Sequence, residues 1–341
     1  MEKVRWGMIG CGEVAELKSG PGFRKAQGSA LAAVMRRDVA KAEDFARRHG
    51  VPRVHRTADE LVRDEGVDAV YIATPPSSHC ELALKVAAAG KPCLVEKPMA
   101  VNHAECLRMI DAFRARDRRL WVAYYRRALP RFLKVRELLG GGAVGRVTSL
   151  QIHVTDRLAT PERATVWRFD PDIAGAGLFL DLASHCLDLV DFLLGPISGA
   201  AGFAVNTGGR YAAEDVTAAA FQLGDDVAGT GIWNFNASQT IDRLVVGGSD
   251  GELRTPIFTD VDDVVVSRGE HQNVYRFRNP PHVHQPLIQT IVDEMLGHGR
   301  SESTGESGAR ASWVMDRCLE TYYRTVSSPQ PPGSVSVPGS V

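Results

Sequence analysis

A largely apolar run, Val4 to Ile9, leads directly into Gly10-Cys11-Gly12-Glu13-Val14-Ala15. Two glycines one residue apart, placed just after a strand, leave the chain few options. The first permits a tight turn and the second lets the main chain approach a pyrophosphate. A small third residue lets a helix pack closely on the strand. That helix would begin with free N–H groups and its positive dipole end facing the loop. The pattern alone is common among strand-to-helix turns, so its meaning depends on the rest of the chain.

The same unit then recurs. Leu31 to Met35, Val67 to Ala73, Pro92 to Val95 and Leu120 to Tyr124 are short apolar runs, while Ala40 to His49 and Cys80 to Ala89 carry apolar residues at helical spacing. Strands separated by helices imply crossover units and a parallel sheet covered on both faces. Near Arg146 the pattern changes. Val147 to Val154, Val216 to Leu223, Gly229 to Phe235, Arg243 to Val246 and Val261 to Val266 read as strands, with Gly224-Asp225, Gly247-Gly248 and Asp250-Gly251 as turns. Short turns between successive strands point to a mostly antiparallel sheet. A helix over Leu178 to Leu194 ends at Gly195-Pro196, and helices over Leu287 to Leu296 and Ala309 to Thr325 are expected to close this second domain.

The fold class expected is therefore α/β: an N-terminal Rossmann dinucleotide-binding domain with a C-terminal α/β domain built on a large, mostly antiparallel open sheet. The boundaries are 1–125 for the first and 126–326 for the second, which would bind substrate and form oligomers. The stretch 327–341, rich in Ser, Pro and Gly, is expected to be poorly ordered.

Bulk properties exclude several classes. A formal net charge of -1 provides no field for nucleic acid. No apolar stretch reads as the roughly 18 residues of a membrane span, and the first strand comes too soon after Met1 for a signal peptide. The 6 cysteines form no CxxC pair and read as buried free thiols of a cytoplasmic protein. His282-Val283-His284 has no acidic or thiol partner at metal-ligand spacing, so no metal is expected.

The residues after the second strand bear on the choice of cofactor. A protein binding NAD usually places an acid about 20 or more residues beyond the glycines, on the ribose 2′-hydroxyl. Here the strand runs into Arg36-Arg37-Asp38. A guanidinium suits a 2′-phosphate through paired, charge-assisted hydrogen bonds, which favours NADP(H). The other reading puts both arginines on the surface and Asp38 on the ribose, with NAD(H).

Two features carry chemistry. Lys97, in Glu96-Lys97-Pro98, comes after an apolar strand, at the carboxyl edge where open parallel sheets bind ligands. Asp181 and His185 stand four apart on the expected helix, with Asp188 three further, so all three share a face. Leu182, Cys186, Leu189, Val190 and Leu193 would point elsewhere. Histidine is suited to proton transfer near neutral pH; a helix-capping Asp beside a satisfied His is the structural alternative.

Gly10-x-Gly12-x-x-Ala15, Glu96-Lys97-Pro98 and Asp181-x-x-x-His185, in that order, resemble the glucose–fructose oxidoreductase and inositol dehydrogenase family, Gfo/Idh/MocA. Ala73-Thr74-Pro75-Pro76 with His79, Tyr124-Tyr125-Arg126-Arg127 and Trp167-Arg168-Phe169-Asp170-Pro171 extend the likeness to about Thr325. The resemblance implies hydride transfer between a nicotinamide and a hydroxyl-bearing carbon, usually of a sugar or cyclitol. It makes Lys97 a neighbour of the reacting oxygen and the nicotinamide ribose, His185 the general acid or base, and Asp181 the residue that orients substrate or tunes the other two. Gly10, Gly12, Glu13, Val14, Arg36, Arg37, Thr74, Pro75, His79, Glu96 and Lys97 would then hold the cofactor. Tyr125, Trp167 and Arg168 would meet the substrate beside Lys97, Asp181 and His185, although Trp167 equally suits core packing. The family's Lys-Pro bond is often cis, and its sheet often joins subunits, so a homodimer or homotetramer is expected. On the same scaffold stand three other readings: a dihydrodiol or non-sugar carbonyl reductase, an NAD-assisted glycoside hydrolase, and a non-catalytic dinucleotide-sensing regulator, which should lack the lysine or the histidine.

Overall fold

The computed structural model describes residues 2–157 and 166–327. Its first sheet contains β1 (Val4–Ile9), β2 (Ser29–Met35), β3 (Arg53–His55), β4 (Ala69–Ile72), β5 (Cys93–Val95) and β6 (Leu120–Val122), in the order β3-β2-β1-β4-β5-β6. Every pairing in it is parallel. Helices α1 (Gly20–Lys25), α2 (Val39–His49), α3 (Ala58–Arg63), α4 (His79–Ala88) and α5 (His103–Arg114) connect the strands. The strand order reverses between β1 and β4, and at such a switch point the loops diverge and leave a crevice. β3 escaped the sequence reading because three residues, two of them ionisable, show no period.

The second domain contains α6 (Pro130–Gly140), β7 (Val147–Arg157), α7 (Pro171–Ala174), α8 (Leu178–Leu194), β8 (Ile197–Val205), β9 (Val216–Leu223), β10 (Val227–Asn234), β11 (Asn236–Gly248), β12 (Glu252–Thr255), β13 (Val261–Arg268) and β14 (His271–Arg278), and then α9 (Gln285–Leu296) and α10 (Gly305–Ser327). Its sheet runs β14-β13-β12-β11-β7-β10-β9-β8, antiparallel except where β7 meets β10. Strands β8, β12 and β14 lie outside the runs read from sequence. In β8 the cause is its glycines and alanines, which are poor strand signals. Gly202 is needed for packing, since a Cβ there would lie 3.0 Å from the Cα of Cys318 on α10.

Helix α8 is apolar on nearly every side and almost wholly buried. Pro171–Leu194 is, against the sequence expectation, long and apolar enough to cross a membrane, but 78% of its most apolar window is buried inside the fold. A helix that is hydrophobic all round is a core helix when protein covers it. Its polar stripe is also divided. Asp188 does not share the face of Asp181 and His185 in function: its carboxylate takes the Arg127 guanidinium at 2.8 to 3.0 Å, and Asp191 takes the same group at 3.0 Å. These pairs bind the segment after β6 to α8. Leu182, expected in the core, instead faces an open cleft.

The last helices bridge both domains. α9 does not close the second domain alone but lies on α1 and β1. A Cβ on Gly22 would come 2.8 Å from Ile288, and Gln289 accepts from the Gln27 amide at 2.7 Å. α10 packs on β8, α8 and α5. The tail expected to be disordered lies, beyond Ser327, outside the described residues.

Candidate active site

A cleft of about 990 Å³ runs from the glycine loop to the face of α8. At the loop end, Gly10 has φ 95°, and a Cβ would come 2.8 Å from the Ala73 carbonyl group, so only glycine is at ease there. A Cβ on Gly12 would meet nothing within 4 Å, leaving open space over the loop. That opening beside a turn-to-helix backbone fits a pyrophosphate. Glu13 and Val14 line the same end. The helix expected after the loop begins with a π-wound stretch, Ala15–Ser19, before α1.

Arg36, Arg37 and Asp38 all line the cleft. Arg36 donates from Nη1 to the Cys11 carbonyl at 3.1 Å, which fixes it against the glycine loop. Asp38 caps α2, accepting from the Lys41 amide at 3.2 Å and pairing with the Lys41 ammonium at 3.2 Å. Thr74 and Pro75 line the wall where β4 ends. His79 does not. It is wholly buried, and its ring nitrogens lie 3.1 Å from the Pro98 carbonyl and 2.8 Å from the Thr74 carbonyl. It ties two loops together behind the cleft.

The far end gathers the chemical groups. Lys97 comes directly after β5 and Glu96, and its bond to Pro98 is cis. Its ammonium donates to the Asp181 carboxylate and, at 3.0 Å, to the Asp181 main-chain carbonyl. Arg168 stands 3.6 Å from the other Asp181 oxygen, with its guanidinium 4.4 Å from the Trp167 ring centroid. Burial pushes the Asp181 carboxyl up, but Lys97 and then Arg168 outweigh it and hold the acid ionised. Trp167 is half-buried and faces the cleft, so it is not core packing. His185 is buried, and burial first, then the charges of Arg126 and Lys97, depress its pKa well below the ordinary value. Its Nδ1 has no partner among the described residues. Lys97, Asp181 and His185, read from separate segments of the sequence, thus line one cavity with Tyr125.

Glu96 has a different surrounding from the one expected. It lines the cleft, but its carboxylate accepts from the buried Tyr71 hydroxyl, from the Lys97 amide at 3.1 Å and from His284 Nε2 at 3.2 Å. Burial raises its pKa, and His284 with Tyr71 more than reverse the effect. His284, outside the set of site residues expected from sequence, is buried, lines the cleft and lies 4.6 Å, ring to ring, from Tyr125. Arg126 and Phe258 also line the floor. No periodicity marks these three, because each comes from a loop or short turn. Among the described residues no cluster of His, Cys, Asp or Glu could hold a metal ion, and all six cysteines are free and buried.

A parallel sheet with a glycine-rich crevice, opposite a helix that carries acid and histidine, defines a two-domain dinucleotide-binding protein. Residues 4–124 match the model described as "Oxidoreductase family, NAD-binding Rossmann fold", and residues 132–254 match the "GFO/IDH/MocA C-terminal domain". The chain belongs to the Gfo/Idh/MocA oxidoreductase family. It is 37% identical to "Oxidoreductase P35" of Formosa agariphila over 92% of this chain and 98% of that one. It is 28% identical to the trans-1,2-dihydrobenzene-1,2-diol dehydrogenase of Bos taurus over 82% of this chain and 81% of the other. Among solved structures, levoglucosan dehydrogenase with NADH and levoglucosan shares the fold, with TM-score 0.82, 21% identity and coverage of 94% and 98%.

Proposed function

We propose that this oxidoreductase transfers a hydride between NADP(H) and the hydroxyl- or carbonyl-bearing carbon of a sugar, sugar derivative or polyol. The observation that carries this reading is the convergence of Lys97, Asp181 and His185 on the cleft that starts at the Gly10–Gly12 loop. When bound, the nicotinamide would accept or supply the hydride. Gly10, Gly12, Glu13 and Val14 would hold the pyrophosphate end, and Thr74 and Pro75 the wall.

Oxidation of an alcohol also removes a proton, which requires a base within hydrogen-bond reach. His185, kept neutral by its surroundings, has that capacity. The Lys97 ammonium, steadied by Asp181, would stabilise an alkoxide as it forms. The Trp167 face and the Tyr125 ring offer stacking surface to a sugar ring, and Arg168 offers donors to hydroxyls.

Arg36 and Arg37 in the cleft support NADP over NAD, and so does Asp38, whose carboxylate is engaged in capping α2. The dihydrodiol dehydrogenase relative supports a second reading in which the substrate is a non-sugar diol. Association through the second sheet fits its outer face: Phe203 and Val205 are 77% and 49% exposed on β8, turned away from α10. The buried free thiols fit a reducing cytoplasm.

The test is titration with NADPH and NADH followed by intrinsic fluorescence, then a panel of sugars, polyols and dihydrodiols. Selective NADPH binding with turnover of a sugar or polyol is the expected result. Binding of neither nucleotide would refute the enzyme as described.

A further inference from the structure

We propose that the substrate carries a carboxylate close to its reacting carbon, and that Arg126 binds it. This rests on the reading of the cleft as a dehydrogenase site. Arg126 is 6% exposed and lines the cleft floor. Its Nε donates to the Ile257 carbonyl at 3.0 Å, and its Nη1 is buried without a partner among the described residues. Among those residues no carboxylate lies within ion-pair distance of it.

The neighbouring acids are already engaged. Asp181 holds Lys97 and Arg168, and Glu96 holds Tyr71 and His284. Asp242 accepts from the Ile257, Phe258 and Thr259 amides. A buried guanidinium without a counter-ion is costly, and such groups are paired in native proteins. Nη1 is sealed off, so a partner arriving through the cleft meets Nη2, which has no hydrogen bond among the described residues.

The geometry narrows its chemistry. The guanidinium carbon lies over the Tyr125 and Phe258 rings, 4.8 and 4.7 Å from their centroids, and the Ile257 carbonyl takes Nε. Nη2 remains, and a carboxylate oxygen can take its charge-assisted hydrogen bond. The same two rings pack edge-on to His185, at 5.3 and 6.2 Å between centroids. Arg126 and His185 thus border the same two rings, so a carboxylate on Arg126 and a hydroxyl at His185 can belong to one molecule. The ligand class is a sugar acid, an aldonate or uronate, rather than the neutral sugar.

The experiment compares matched pairs on the full-length enzyme with NADP⁺ and NAD⁺: D-gluconate against D-glucitol, and D-glucuronate against D-glucose. We expect kcat/KM for the acid to exceed that of its neutral partner at least tenfold. Arg126→Met should lower that ratio at least tenfold, and Arg126→Lys should retain part of it. Equal or better use of the neutral member by the native enzyme would overturn the inference while leaving the dehydrogenase reading intact. So would an Arg126→Met ratio unchanged at preserved cofactor affinity, which would make the arginine structural. If neither pair turns over, calorimetry of the acids on the enzyme–NADP⁺ complex decides: saturable binding lost in Arg126→Met supports the site, and no binding overturns it. Failure to bind either nucleotide would remove the underlying reading together with this one.

Discussion

Lys97 and Asp181 meet across the two domains: the lysine stands at the end of β5 of the Rossmann sheet, and its ammonium donates to both the carboxylate and the main-chain carbonyl of Asp181 on α8. This contact joins the nucleotide-binding edge to the helix that bears His185. A relative shift of the two domains would therefore move the reacting groups apart.

Replacing Lys97 with Ala should lower kcat by about a hundredfold or more, the scale of a lost proton-handling or alkoxide-stabilising group. Dissociation constants for the dinucleotide should move less than about threefold, since the glycine loop and not Lys97 would hold the pyrophosphate. Steady-state kinetics and nucleotide titration check this. An unchanged rate, or lost nucleotide binding, would contradict the role assigned.

Arg36→Asp should move preference from NADP toward NAD. Loss of a charge-assisted hydrogen bond of about 1.5–3 kcal/mol corresponds to a change of roughly ten- to a hundredfold in the NADP/NAD ratio of kcat/KM. If the ratio does not change, Arg36 braces the Cys11 carbonyl and does nothing more.

Burial, reinforced by Arg126 and Lys97, depresses the His185 pKa in the folded state. The unfolded chain therefore binds the proton first, and stability is lost as pH falls below about 6.5. His185→Gln should remove that part of the acid sensitivity, as read from urea unfolding at pH 7 and pH 5. In the oxidative direction the base form persists through pH 6.5, so the acid limb of kcat/KM should lie below that pH. A limb centred at 6.5 would show that a different group is titrating.

Glu214 is wholly buried, takes the Gly177 amide at 3.0 Å at the start of α8 and receives the Tyr323 hydroxyl at 2.6 Å. Burial raises its pKa to about 7 despite these bonds. A raised folded-state pKa means the stabilising contribution is complete below about 4.5 and is lost as pH rises through about 7, to a total of roughly 3 kcal/mol. Glu214→Gln should flatten that dependence. Unfolding free energies at pH 5, 7 and 8 test it, and parallel profiles for the two proteins would refute it.

Much of this was legible along the chain. The Gly10–Gly12 loop, the parallel unit around it, Lys97 at its strand end and the Asp181–His185 spacing on α8 are local patterns, because strand and helix periods and turn chemistry act between near neighbours. What tertiary structure decided depends on distant partners. Gly202 sits in a strand because α10 leaves no room for a side chain, and α9 is drawn onto the first domain by Gly22, Gln27 and Trp121. Asp188 is a partner of Arg127 rather than a member of the site, and His79 a tie between loops. Arg126 and His284 reach the floor from turns without a period. Local patterns mark which groups can do chemistry and on which elements they stand; burial and the closing of two domains on one cleft select those that face it, since desolvation and ion pairing depend on neighbours far away in the chain.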